Sequence, residues 1–361
     1  MLLLSFLTSF LHAATPTLPV YVTDQDKKVY DGSLRFAAVG NICSSTLWGF
    51  GGPCSHSEEI LQSIKSRNPE FVSFLGDSVC SGSSRHWSKF VNLYQTTLSE
   101  VPTLPVVGQN EYKGDLKLAN WKSYFPDAGE DIGLNRTASW YRFDVESRGV
   151  TWRILVLDSN RPEMGSRWDE QMTFLQDNLK GDFTSLIVFV HDSAYDLGVG
   201  SKANKNASEL LETIDFNIGF QQLRAVIFSG SNASQALLPQ GSLGPLHLGV
   251  GGGGMKGTSL LRKKGDEEDS LHLLTSLDLY YLDTVDKLGL ETAMDKALSK
   301  GKYTGKPSKF ESKDISTFGW WEIELDGEFM GTRFFHYQEG DNLVEATKLG
   351  YDKSKGWQIV K

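Results

Sequence analysis

The chain has 361 residues, 40% of them apolar and 22% charged, with a formal net charge of −9. That length and apolar content supply a proper core and exclude a disordered chain. The negative balance excludes a nucleic-acid role, because phosphate binding needs a basic face.

In chain order, Met1 to Leu11 is apolar apart from Ser5, Thr8 and Ser9, and His12-Ala13-Ala14 follows. This is the pattern of a signal-peptide core with a small-residue cleavage site, although no Lys or Arg precedes it. The expectation is a leader over 1–14 and a secreted or periplasmic protein. No later run reaches the roughly 18 apolar residues of a membrane span. Residues 15–32 read as a polar linker or edge segment, and 33–361 as one domain. Leu34 to Val39 is a buried strand, and Ser57 to Arg67 a helix with Ile60, Leu61 and Ile64 on one face. Strand Phe71 to Leu75, a helix over Trp87 to Leu98 and strand Leu104 to Val107 follow. Tyr141 to Val145 and Thr151 to Leu157 form an antiparallel pair about a turn at Ser147-Arg148-Gly149. Then come helix Glu170 to Leu179, strand Leu186 to Val190, helix Ala207 to Ile214, strand Ala225 to Phe228 and strand Pro245 to Val250. The last runs into the glycine loop Gly251 to Gly254. An insert over about 258–317 carries a helix-like stretch, Thr284 to Lys300, and a hairpin closes the domain with its turn at Asp326-Gly327. Strands alternating with helices imply an α/β layered architecture.

Cys43, Cys54 and Cys80 are the three cysteines; in an oxidising compartment they make one pair and one thiol, and Cys43–Cys54 would close a Gly-rich loop. Asn135, Asn206 and Asn232 each head an Asn-x-Ser/Thr pattern, which matters only in a eukaryotic host. The basic run Arg262-Lys263-Lys264 meets the acidic run Asp266-Glu267-Glu268-Asp269 at once and reads as a solvated loop.

Chemistry in such folds sits on loops at the strand ends. Five loops stand out: Val39-Gly40-Asn41, Leu75-Gly76-Asp77-Ser78-Val79-Cys80, Val107-Gly108-Gln109-Asn110-Glu111, Val190-His191-Asp192-Ser193-Ala194-Tyr195 and Ser229-Gly230-Ser231-Asn232-Ala233. In this order they resemble the motifs of the calcineurin-like metallophosphoesterases, closest to the tartrate-resistant (purple) acid phosphatases. That family has Gly-Asp, Gly-Asp-Asn-x-Tyr, Gly-Asn-His-Asp/Glu, Gly-His-x-Pro-x-Tyr and Gly-His-x-His at these places. The resemblance covers Leu34 to Met255 plus the closing hairpin. It implies a four-layer α/β/β/α sandwich and a two-metal phosphoric ester hydrolase site.

Residue by residue, that site is degenerate. Asp77 matches the carboxylate that bridges the metals, and His191 matches a ligand of the second. Gln109 stands for an Asn ligand and is one methylene too long. Asn41 replaces a carboxylate, Cys80 the tyrosinate, and Ser231 and Ala233 the terminal histidines. Asn110 stands at the general-acid position, where an amide cannot donate a proton near neutral pH. Two divalent ions about 3.5 Å apart repel by roughly 19 kcal/mol at an effective dielectric of about 20, and Asp77 alone is certainly anionic. Two readings stay open. In the first, the fold is retained without catalysis, as a secreted binding or scaffold module for an unidentified protein or small molecule, with no cofactor. In the second, one divalent metal held by Asp77, His191 and Gln109, with Cys43 as a further donor, gives weak phosphoesterase activity. The bland alternative for Asp77 and His191 is a hydrogen bond to each other or a loop cap.

Overall fold

The computed structural model describes residues 17–21, 27–42, 56–126, 139–181, 183–193, 204–221, 224–230, 235–237, 245–250, 252, 262–263, 303–304, 319–338, 342–352 and 356–359. The leader, Cys43, Cys54, Asn135, Ser231, Asn232, Ala233, most of the glycine loop and the helix-like part of the insert lie outside them.

The first half runs β1 (Lys27–Tyr30), β2 (Leu34–Val39), α1 (Ser57–Ser66), β3 (Val72–Phe74), α2 (Ser84–Thr97), β4 (Thr103–Pro105), α3 (Gln109–Tyr112) and α4 (Ala119–Tyr124). β2, β3 and β4 are parallel neighbours, so α1 and α2 are crossover helices. Each helix buries one stripe: Ile60, Leu61 and Ile64 on α1, and Trp87, Phe90, Val91 and Tyr94 on α2. In α1, Glu58 and Glu59 occupy the first turn and Lys65 the last, matching the helix dipole.

The middle runs β5 (Tyr141–Ser147), β6 (Val150–Val156), α5 (Arg161–Met164), α6 (Arg167–Asn178), β7 (Ser185–Val190), α7 (Lys205–Gln221), β8 (Arg224–Ser229), β9 (Gln235–Leu237) and β10 (Leu246–Gly249). β5 pairs with β6 about the expected turn, and β6, β7, β8 and β10 run parallel. β7 is buried at every position, which suits a strand covered on both faces. The end of the chain adds β11 (Arg262–Lys263), β12 (Tyr303–Thr304), β13 (Gly319–Asp326), β14 (Phe329–Gln338), β15 (Asn342–Asp352) and β16 (Gly356–Ile359). β11 and β12 pair with each other and close the base of the insert, so Arg262 and Lys263 of the expected loop are strand.

Among the described residues these strands make two mixed sheets of seven. One has the order β16-β15-β14-β13-β2-β3-β4 and the other β1-β5-β6-β7-β8-β10-β9. Aromatic side chains join the sheets: Phe36 meets Phe189 at 6.0 Å and Phe71 meets Phe143 at 6.4 Å, both edge-on. Hydrogen bonds also cross between them, from Tyr141 OH to Pro105 O at 2.9 Å and from Trp321 Nε1 to Gly249 O at 3.1 Å. The architecture is the expected α/β sandwich, two mixed sheets flanked by helices.

Two segments add to the sequence reading. The 15–32 stretch sends Leu18 and Tyr21 into the core and places β1 at the edge of the second sheet. Its backbone bonds Leu18 N to Tyr124 O and Tyr21 N to Thr103 O. The closing hairpin continues into β15 and β16, making a four-stranded meander.

Candidate functional site

The parallel strands of both sheets deliver their C-terminal ends to one edge, and there the described parts of the motif loops, through Ser193 and Gly230 on the second sheet, meet. The close approach needs glycine at two places. Gly76 has φ +82°, and a Cβ there would stand 2.6 Å from His191 Nδ1. A Cβ on Gly108 would lie 2.4 Å from Asp77 N. Asn41 and Asp77 follow β2 and β3 with φ 51° and 50°, a left-handed conformation that Asn and Asp tolerate better than most residues.

Glu111 is the organiser of this edge. Its carboxylate, 1% exposed, accepts Asp77 N at 2.9 Å, Ser78 N at 2.8 Å, Gly108 N at 2.8 Å and Val79 N at 3.3 Å. Burial and the neighbouring Asp77 charge push its pKa up to about 7, against the pull of His191 and of the Gly108 and Asp77 amides. In the sequence Glu111 stands only as the last residue of the Val107-Gly108-Gln109-Asn110-Glu111 motif. The available signal was the Gly-x-x-Glu spacing, in which a carboxylate at the third helical position reaches back to the cap amide.

Asp77 Oδ1 accepts Asn110 N at 2.8 Å and lies 3.5 Å from His191 Nε2. His191, 6% exposed, donates through Nδ1 to Leu75 O at 2.7 Å. Burial opposes a charged ring, but Asp77 first, then Asp192, the Leu75 carbonyl and Glu111, outweigh it and push His191 up to about 9. The two ligand-type residues therefore face each other as an ion pair. Asn41 turns its amide Nδ2 onto Gly230 O at 3.0 Å and ties the first sheet to the second. Asn110 is buried with its Oδ1 on the Lys113 ammonium. Gln109 is exposed and Cys80 half-buried. Behind the loops, buried Asp158 accepts Tyr112 OH at 2.6 Å, the Ser139 hydroxyl and Asn160 N at 2.9 Å, which fixes α3 against the end of β6. In the glycine loop, Gly252 O accepts Gly319 N at 2.8 Å and anchors the loop to β13.

No family model and no curated protein sequence matches the chain. Solved structures do. A purple acid phosphatase from yellow lupin seeds is similar with a TM-score of 0.56 at 13% identity, over 89% of this chain. PhoD is similar with a TM-score of 0.56 at 10% identity, over 96% of this chain and 73% of its own. This chain has the metallophosphoesterase fold. GAP50 of Plasmodium shares it, with a TM-score of 0.52 and 16% identity over 87% of this chain and 88% of its own. The alignment spans about half, 54%, of the lupin protein.

The metallophosphoesterase fold implies two metals, and the donors described here do not fit a pair of them. Among the described residues no three His, Cys, Asp or Glu side chains converge as a metal-binding group. Asp77 and His191 are engaged with each other, Asn41 presents its amide N–H to a carbonyl, and Gln109 is exposed. A second cation beside the first would meet a repulsion that Asp77 alone cannot offset, because Glu111 is spent on backbone amides and Asp192 accepts the Ser159 hydroxyl.

Proposed function

We propose that this chain is a non-catalytic protein built on the metallophosphoesterase fold, secreted and acting as a binding or scaffold module. The observation that carries this reading is the conversion of the cleft into internal contacts. Asn41 bonds to Gly230 O, and His191 lies between Leu75 O and Asp77. Phosphate ester hydrolysis needs an activated hydroxide, charge neutralisation of the phosphate and a proton for the leaving group. Asn41, Ser231 and Ala233 bring no anionic or imidazole donor to the first two tasks, and the Asn110 amide cannot perform the third. GAP50, the anchor in the inner membrane complex of Plasmodium, offers a precedent for the fold used as an anchor. Elemental analysis of natively purified protein tests the reading: essentially no bound manganese, iron or zinc supports it. One metal per chain that is lost with Asp77→Ala would favour the one-metal phosphoesterase instead.

A further inference from the structure

A basic surface bearing an exposed leucine borders the cleft, and we propose that it docks an acidic segment of a partner protein. This deepens the non-catalytic reading and rests on it. Arg85 and Lys89 are exposed one turn apart on α2, and Lys113 and Lys117 are exposed in the connection from α3 to α4. Leu116, between the two lysines, is 73% exposed. The two stretches are held side by side. Gly82 N donates to Lys113 O at 2.8 Å, Asn120 Nδ2 donates to Gly82 O at 2.8 Å, and the Trp87 ring stacks on Tyr124 at 5.5 Å. The carboxylates of these stretches are engaged elsewhere. Glu111 is buried on backbone amides, and Asp115 accepts Ala119 N at 3.0 Å and Asn120 N at 2.7 Å at the head of α4.

The Lys113 ammonium sits on Asn110 Oδ1, and Asn110 N sits on Asp77, so the patch begins at the rim of the residual cleft. On a chain of net charge −9, such a concentration of cations runs against the field of the whole molecule. A solvent-exposed aliphatic side chain inside a charged rim has the anatomy of an anchor within a docking site. The occupant that complements it is a peptide segment with several carboxylates around one or two apolar side chains. An anionic bilayer fits less well, because the rest of the acidic surface is repelled from it.

The test is fluorescence anisotropy with a short labelled peptide, a Leu-Phe pair flanked by glutamates, on the full chain. Wild type should bind saturably, and Lys113→Glu with Lys117→Glu should weaken binding about tenfold at low salt, an effect that fades above the screening concentration. Leu116→Ser should weaken it several-fold. Lys65→Glu with Lys180→Glu, which changes the net charge equally at a distance, should leave it unchanged. Equal losses in the two double variants, no wild-type binding, or binding to anionic vesicles without binding to the peptide would each overturn the proposal. Should the lysine pair prove misfolded by its melting curve, Arg85→Glu with Lys89→Glu serves in its place. Metal-dependent turnover of an aryl phosphate would sink the non-catalytic reading instead, and Asp77→Ala separates the two because docking does not use Asp77.

Discussion

Glu111 holds together the loops that follow β3 and β4, and its removal should be among the costliest substitutions on that edge. Four backbone amides point at one carboxylate that is 1% exposed. Leaving a buried donor unsatisfied costs about 1–3 kcal/mol, and water admitted to the space of a truncated side chain recovers part of it. For Glu111→Ala the expected loss is therefore about 4 kcal/mol rather than the full sum of four orphaned amides. Glu111→Gln keeps one oxygen, which can still serve two of the amides, and turns an NH2 toward the other two. Its loss should be about half as large. Urea denaturation followed by fluorescence measures both, as a fall in midpoint at unchanged slope. A Glu111→Ala loss below about 1 kcal/mol, or a Gln variant no better than Ala, would refute the claim that the carboxylate organises these loops.

Three other outcomes follow from the structure. Glu322, 1% exposed between Arg67 and Arg333, is held below the usual carboxylate range: burial opposes this, and the two guanidiniums outweigh it. Glu322→Ala should cost about 2–3 kcal/mol, less than for a fully buried pair because both arginines can regain water, and a neutral result in the same denaturation assay would contradict it. His247 is buried and its pKa is pushed down to about 3 by desolvation, so its contribution is present above about 6.5 and lost as pH falls toward 3. That amounts to about 2 kcal/mol between pH 7.5 and pH 5, and His247→Phe should flatten that limb of the stability profile; parallel limbs would show the histidine is not responsible. Asn41→Asp alone should lower stability by about 1–2 kcal/mol, because a carboxylate would face the Gly230 carbonyl at the 3.0 Å now spanned by a hydrogen bond. A stabilised Asn41→Asp variant in metal-free buffer would count against this geometry.

The layers of the fold were legible because the patterns that encode them are strong. β2, β7 and β8 are short apolar runs, α1 and α2 carry their apolar residues at helical spacing, and Asp326-Gly327 marks the closing turn. β15 was not legible, and its register shows why. Phe334 pairs with Thr347 and Phe335 with Glu345, which leaves Ala346 between them and breaks the period-two alternation. β1 has four residues with two lysines, so it carried no periodic signal. At the site, Asp77 and His191 come from loops 114 residues apart in sequence, and their 3.5 Å facing is set by the fold rather than by any local pattern. The roles of Glu111 and Asp158 depend on amides and hydroxyls brought from separate loops. Tyr112 and Ser139 reach Asp158 only after the fold has formed, and residue types alone do not reveal such convergence.

On the proposed non-catalytic reading, the cleft carries out no phosphate ester hydrolysis. Turnover of a generic aryl phosphate by this chain, with manganese, iron or zinc added and Asp77→Ala run beside wild type, decides between this reading and a metal-dependent enzyme. The expected result is no difference between the two proteins and no rate above the metal-only background with any of the three metals. Metal-dependent wild-type turnover that disappears in Asp77→Ala would contradict it.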